Sequence, residues 1–150
     1  MRILLLAMPD TADVIDQVTR LPNLAIISLA GNLPGHDVRV LDLVLFNLRI
    51  RRVLEEILRD FKPQLVGLSA MTFQFDTLLR VARFIRQFDP AIKLAAGGYH
   101  ASLMAREITA GPPDLPLDFL IRGEGEATFR EREFRDAAPA ELIDRQGALR

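Results

Sequence analysis

The stretch Ile50–Ser69, IRRVLEEILRDFKPQLVGLS, decides the fold class of this chain of 150 residues. In its first twelve residues the apolar side chains recur every three or four positions, which predicts an amphipathic helix that ends before Pro63. The next six residues, Gln64–Ser69, form a short apolar run that predicts a strand buried on both faces. A helix that leads directly into such a strand is the building unit of a parallel sheet.

The same alternation of strand and helix runs through most of the chain. Five strands are predicted, at 2–7, 37–42, 64–69, 91–96 and 118–121. Helices are predicted at 23–33, 50–61, 76–88, 101–110 and 126–136. The connections between strands are too short for anything but crossover helices. Right-handed crossovers give a doubly wound α/β sheet with helices on both faces. Five strands favour the flavodoxin-like (Rossmann-like) order 2-1-3-4-5.

The length of the chain fits one domain, which we expect to span residues 1–136. Residues 137–150 have no clear hydrophobic period and are expected to be a tail or a linker toward a further domain. Before them, the run at 130–135 is almost entirely charged and is typical of a solvated helix face.

Composition excludes several classes of function. With 19 Lys and Arg against 20 Asp and Glu, the chain has no basic field for nucleic acid or an anionic membrane. No stretch approaches the roughly 20 apolar residues of a membrane span, and the apolar run at the N-terminus ends at Pro9, too early for a signal peptide. A cytoplasmic protein is therefore expected. The absence of Cys excludes disulfides and any iron–sulfur cluster held by this chain.

A ligand site in this fold is expected beyond the carboxyl ends of the strands, beside the switch in strand order. Four loops, at 8–13, 69–75, 97–100 and 122–126, lie there. The second loop offers hydroxyls and exposed backbone amides, and Gly97-Gly98 removes side chains where the fourth strand ends. These features indicate a backbone cradle for a large, flat or long ligand rather than a proton-transfer site.

The same loops exclude three familiar occupants of such sheets. A response-regulator receiver requires an Asp after the third strand and a Lys after the fifth, where this chain has Ser69 and Arg122. A flavodoxin requires a phosphate loop rich in Ser, Thr and Gly after the first strand, and a dinucleotide fold requires G-x-G-x-x-G there. The residues at 8–13 contain no Gly.

Several motifs, taken in order along the chain, resemble the N-terminal cobalamin-binding domain of cobalamin-dependent radical S-adenosylmethionine enzymes. The resemblance extends from about Met1 to Phe129. The matching stretches are Met1–Pro9, Leu24–Leu33, Gly35–Asp42 (GHDVRVLD), Val66–Thr72 (VGLSAMT), Gly97–His100 (GGYH) and Arg122–Glu126 (RGEGE).

The resemblance implies that the nucleotide tail of cobalamin sinks between the loops after strands three and four. Ser69 and Thr72 would contact the tail, and the glycine pair would let it pass. The residues implied to contact the cofactor are Pro9, Asp10, Ser69, Ala70, Met71, Thr72, Phe73, Gly97, Gly98, Tyr99, His100, Gly123 and Glu124.

Two departures from related proteins shape the expected function. Cobalamin-dependent mutases carry D-x-H-x-x-G after the first strand, whereas this chain reads Asp10-Thr11-Ala12-Asp13, so cobalt is expected to have no histidine ligand from that motif. The radical domain of the resembled enzymes carries C-x-x-x-C-x-x-C, and this chain has no Cys. We therefore expect a binding module without catalytic or metal-ligating residues of its own, excised or truncated from a methyltransferase- or cyclase-type enzyme, with the radical domain in cis or in trans.

Structural alternatives remain open for most of these residues. Ser69 and Thr72 suit helix capping or strand-end hydrogen bonds, and Glu124 and Glu126 suit the start of a helix. His100 suits a packed surface position. At the level of function, the alternatives are a non-catalytic interaction or remnant domain that binds no cofactor, and a nucleotide-binding sensor.

Overall fold

The computed structural model describes residues 1–9, 23–46, 48–111, 114–126, 128 and 141–143. Its strands are β1 Arg2–Ala7, β2 Asp37–Asp42, β3 Leu65–Ser69, β4 Lys93–Gly97, β5 Phe119–Ile121 and β6 Glu141–Ile143. Its helices are α1 Leu24–Gly31, α2 Ile50–Phe61, α3 Phe75–Phe88, α4 Tyr99–Leu103 and α5 Ala105–Thr109. Single 3₁₀ turns occupy Leu43–Phe46 and Thr72–Gln74. Within these ranges, no helix is both long enough and apolar enough to cross a bilayer.

The strands form one parallel sheet in the order β2-β1-β3-β4-β5-β6. The order 2-1-3-4-5 predicted for the first five strands is confirmed. The sixth strand pairs with β5 in the register Phe119↔Glu141 to Ile121↔Ile143 and lies in the stretch expected to be a tail. Three residues are too few to show a hydrophobic period, which is why the sequence did not indicate this strand. The domain boundary at residue 136 stays a prediction.

The two faces of the sheet are covered unequally. On β1, Leu4 and Leu6 join the core beneath α2, α3, α4 and α5, whereas Ile3, Leu5 and Ala7 point to the face that α1 covers. This alternation follows from the pleat of a strand, which directs successive side chains to opposite faces. Helices therefore lie on both faces as predicted, and α1 stands against the face that also carries the candidate site.

The region after β4 differs from the single helix predicted at 101–110. A helix begins directly after Gly98 and stops at Met104, whose N–H bonds the carbonyl of His100, and a second short helix follows. This early start brings Tyr99 and His100 into the first turn of α4 rather than into a loop. The helix predicted at 126–136 lies mostly outside the described residues.

Asp118 ties the start of β5 to its neighbours. Its carboxylate accepts a hydrogen bond from the Leu94 N–H at 2.8 Å and lies 2.5 Å from Arg86 Nη2 and 3.7 Å from Lys93 Nζ. Arg86 also donates to the carbonyls of Pro90 and Ile92. The buried carboxylate thus joins the end of α3 to β4 and β5, and so fixes the strands that carry the site.

We expect the Asp118→Asn substitution to lower the free energy of unfolding by about 2 kcal/mol, because it leaves Arg86 beside a neutral amide in a partly buried position. Urea denaturation followed by circular dichroism measures the change. The matched control is Asp114→Asn, an exposed site a few residues earlier, where a change within about 0.5 kcal/mol is expected. Equal stability of the two variants would contradict a structural role for Asp118.

Candidate functional site

A cavity of about 510 Å³ opens at the carboxyl ends of β3, β4 and β5, on the face covered by α1. The last residues of these strands, Ser69, Gly97 and Ile121, line it. A second cavity of about 600 Å³ lies at the amino ends of β1, β3 and β4. Ligands of doubly wound sheets bind at the carboxyl edge, beside the switch in strand order, and the switch in this sheet lies at β1 and β3. The cavity at the carboxyl edge, hereafter the edge cavity, is therefore the candidate site.

Small residues from two neighbouring strands form the floor of the edge cavity. Gly67 and Ser69 alternate along β3, and Ala95 and Gly97 alternate along β4, so all four face the same side. The register pairs Gly67 with Ala95 and Ser69 with Gly97. The result is a shelf of four small residues, two of them glycines, on which a ligand can approach the backbone of the sheet closely.

The two glycines at the end of this shelf have different structural roles. Gly98 has a φ of 96°, and a Cβ there would lie 2.8 Å from the carbonyl oxygen of Ala70 and 3.1 Å from Ser69 Oγ. A Cβ at Gly97 would meet nothing closer than Ile121, at 3.9 Å. The fold thus requires glycine at position 98. At position 97 it does not, and the space that a side chain would fill belongs to the cavity.

The wall formed by α4 is held by Ser102. Its hydroxyl donates to the carbonyl of Gly98 at 2.9 Å and accepts the N–H of Gly123, also at 2.9 Å. One side chain therefore fixes the Gly123–Glu126 segment, whose last two residues are helical, to the first turn of α4. Tyr99 lies on the same wall with 57% of its surface exposed. The opposite wall consists of α1, through Ala25, Ile26 and Leu29.

Gln74 joins the loops that follow β1 and β3. Its side-chain oxygen accepts the N–H of Met71 at 2.8 Å, and its amide nitrogen donates to the carbonyl of Met8 at 3.2 Å. This buried side chain explains why the 3₁₀ turn at Thr72–Gln74 folds back toward β1. The side-chain amide of Gln74 is therefore engaged by the protein itself.

The structure brings about half of the residues implied by the resemblance into the edge cavity. Those that line it are Ser69, Gly97, Gly98, Tyr99, Gly123 and Glu124. Those that lie outside it are Pro9, Ala70, Met71, Thr72, Phe73 and His100. Asp10 lies outside the described residues.

The residues outside the cavity fall into two groups. Met71, Thr72 and Phe73 are exposed on the turn after β3, where they form a surface next to the site. Pro9, Ala70 and His100 are packed inward. The His100 ring stands 4.3 Å from the ring of Phe75, and its Nδ1 atom is buried without a hydrogen-bond partner in the described part of the chain.

The edge cavity extends deeper than the four loops in which the sequence predicts a site. Gly67 and Ala95 lie two residues before their strands end. Leu29 lies on α1, outside the four loops in which the site was expected. The period-two pattern of small residues along β3 and β4 was the available signal. Small residues at alternate positions inside a buried strand are also common in ordinary cores, so this pattern alone does not indicate a cavity.

The lining determines what the edge cavity can do chemically. Its floor is apolar and rich in backbone, and its polar side groups are hydroxyls and the carboxylates of Glu124 and Glu126. Among the described residues, no three His, Asp or Glu side chains gather in a way that would hold a metal ion. The arrangement suits the binding of an extended organic group.

Comparison with known proteins gives several matches to enzymes much longer than this chain. An anaerobic magnesium-protoporphyrin IX monomethyl ester cyclase from Synechocystis is 33% identical over 134 residues, which cover 85% of this chain and 26% of that protein. An uncharacterised methyltransferase from Pyrococcus horikoshii is 29% identical over 131 residues, covering 85% of this chain and 28% of that protein. The chain thus spans about a quarter of the length of these relatives.

A solved structure shares the fold. The cobalamin-dependent S-adenosylmethionine radical enzyme OxsB, with aqua-cobalamin and S-adenosylmethionine bound, superposes with a TM-score of 0.61 at 17% sequence identity. The match covers 99% of this chain and 21% of that one. The model of the B12 binding domain family matches residues 11–133. This chain therefore belongs to the B12-binding domain family.

Proposed function

We propose that this chain binds cobalamin and serves as the cofactor-holding module of a radical S-adenosylmethionine enzyme. The observation that carries the proposal is the open position at Gly97, in a chain of the B12-binding domain family. The fold has room for a side chain at this position, and the glycine leaves that room to a ligand. The nucleotide tail of the cofactor would occupy the edge cavity, and the exposed turn after β3 would face the corrin ring.

The residues present fit such a tail in size and chemistry. The volume of about 510 Å³ lies within the range of about 300–1,000 Å³ that is usual for small-molecule sites. The shelf at Gly67 and Gly97 accepts a flat ring against the sheet, and Ser69 and Glu124 offer hydrogen bonds to polar groups along the tail. The space for the tail exists because two adjacent strands, β3 and β4, carry glycine at positions 67 and 97.

The proposed mode of binding places no histidine of the described residues beneath the cobalt. The chain has two histidines. His36 lies just before β2, at the amino edge of the sheet, and His100 packs against Phe75 outside the edge cavity. The stretch 10–13, which replaces the D-x-H-x-x-G motif, contains no histidine. When bound, cobalamin would supply a cobalt centre for methyl transfer or radical chemistry, and the residues of the edge cavity would hold and orient it.

The relatives indicate the larger enzyme in which this module works. One is named a cyclase and another a methyltransferase, and both are about four times as long as the matched region. A radical domain, supplied in cis or in trans, would hold the iron–sulfur cluster for which this chain has no Cys. We propose a methyltransferase- or cyclase-type reaction in the cytoplasm for the complete enzyme.

We expect the purified chain, mixed with excess hydroxocobalamin, to retain close to one corrinoid per chain through gel filtration. The absorbance of the corrin in the protein peak measures the retention, and bovine serum albumin treated in the same way gives the background. A protein peak without corrin absorbance at saturating cofactor would contradict the proposal. It would favour instead an interaction module that binds no cofactor.

A further inference from the structure

We propose that the side chains of Ser28 and Glu126 form a clasp that holds α1 against the Gly123–Glu126 segment, and that opening this clasp admits and releases the cofactor tail. Ser28 Oγ donates to Glu126 Oε1 at 2.9 Å, across 98 positions of sequence. The inference rests on the proposed binding of cobalamin in the edge cavity. It goes further by naming the contact that controls the rate of passage.

The clasp joins α1 to the segment that Ser102 ties to the opposite wall of the cavity. Ala25, Ile26 and Leu29, which flank Ser28 on α1, line the cavity, and so do Gly125 and Glu126. The hydrogen bond therefore spans the gap between α1 and the start of the helical turn at Gly125, and both elements face the ligand space. Both groups are accessible to solvent, so the bond can break without burying an unpaired charge.

Weak anchoring makes α1 the movable wall. It is eight residues long, and Ile26 is its one buried residue. Although nearly all its side chains are apolar, Leu24 is 77% exposed and Ile27 is 45% exposed. A helix with so little buried surface opens at a lower free energy than the strands beneath it. Leu29 and Ala30 are partly buried against the sheet, and the hydrogen bond between Ser28 and Glu126 adds one further tie that holds α1 in place.

The opposite wall is fixed by contrast. Ser102 bonds both Gly98 and Gly123, Ala101 is fully buried, and Gly98 is packed against Ala70. Movement of α4 would break all these contacts together. Because one wall is tied into the core and the other is held by an exposed hydrogen bond, passage of a ligand is expected on the α1 side.

The Ser28→Ala substitution tests the clasp at two levels. In the protein without cofactor, amide hydrogen exchange followed by mass spectrometry is expected to become about threefold to tenfold faster in α1, with no change in β1 and β3. In the protein loaded with hydroxocobalamin, release of the cofactor is measured by adding an excess of a second cobalamin-binding protein that carries no cofactor. The release rate is expected to rise by a similar factor. Thr109→Ala is the matched control, since its hydroxyl bonds only within its own helix region, to Ala105 and Arg106.

A double-mutant cycle separates the clasp from unrelated effects of each substitution. Glu126→Ala alone is expected to reproduce the effect of Ser28→Ala, and the double variant is expected to be no faster than either single variant. Exchange in α1 within twofold of the parent for Ser28→Ala, or fully additive effects in the double variant, would overturn the proposal. If the parent itself retained no corrinoid, the proposed function would fall, and the exchange measurement would still decide whether the clasp exists.

Discussion

The Gly97→Val variant is expected to lose about 100-fold or more in affinity for hydroxocobalamin while its fold stays intact. The Cβ has ordinary contacts only, at 3.9 Å from Ile121, and valine is favoured in strands, so the sheet tolerates the substitution. The two added methyl groups enter the space above the shelf, where the proposed ligand lies. Steric exclusion therefore falls on the cofactor and not on the protein.

Two measurements test this separation of binding from stability. Titration with hydroxocobalamin, followed by corrin absorbance after rapid filtration, gives the affinity, and urea denaturation gives the free energy of unfolding. Gly97→Ala serves as the graded control, with a smaller loss of affinity expected from its single methyl group. Unchanged affinity in Gly97→Val would place the ligand somewhere other than the edge cavity, and a large loss of stability would contradict the open geometry at this position.

The Gly98→Ala variant is expected to lose about 3 kcal/mol in free energy of unfolding. Its backbone has a φ of 96°, which an alanine adopts only with strain, and the new Cβ would lie 2.8 Å from the Ala70 carbonyl oxygen. That oxygen is backbone in the loop after β3 and cannot move aside as a long side chain would. The end of β3 or the start of α4 must then shift.

Urea denaturation of Gly98→Ala and Gly97→Ala compares the same chemical change at adjacent positions. We expect the unfolding midpoint to fall markedly for position 98 and to stay near that of the parent for position 97. Similar midpoints for the two variants would contradict the assignment of Gly98 to the fold and of Gly97 to the ligand.

The layout of the sheet was predictable because its elements are locally encoded. The helical spacing between Ile50 and Phe61 and the apolar run at Gln64–Ser69 each identify one element. The crossover rule then gives a doubly wound parallel sheet, and five strands favour the order 2-1-3-4-5 that the structure has. The strand at Glu141–Ile143 was not predictable, because its three residues pair with β5 through backbone bonds that any sequence can make. The break at Met104 likewise depends on the tertiary setting of α4.

The site was predictable at its rim and not in its depth. Sequence motifs pointed to Ser69, Gly97 and Gly123, which end strands or follow them, and these line the edge cavity. The contribution of α1 and of Gly67 depends on which residues stand opposite each other once the sheet has formed. The different roles of Gly97 and Gly98 could not be predicted either. The sequence does not show at which of the two positions a Cβ would clash with neighbouring atoms.

The different roles of Gly97 and Gly98 provide a sequence marker for the evolution of related chains. A lineage that abandons the cofactor is released from the requirement at position 97, while the close approach of Gly98 to Ala70 continues to select glycine at position 98. Side chains would then accumulate at the first glycine and not at the second. We would therefore expect Val-Gly or Leu-Gly at the end of the fourth strand in related chains that kept the fold and lost cobalamin binding.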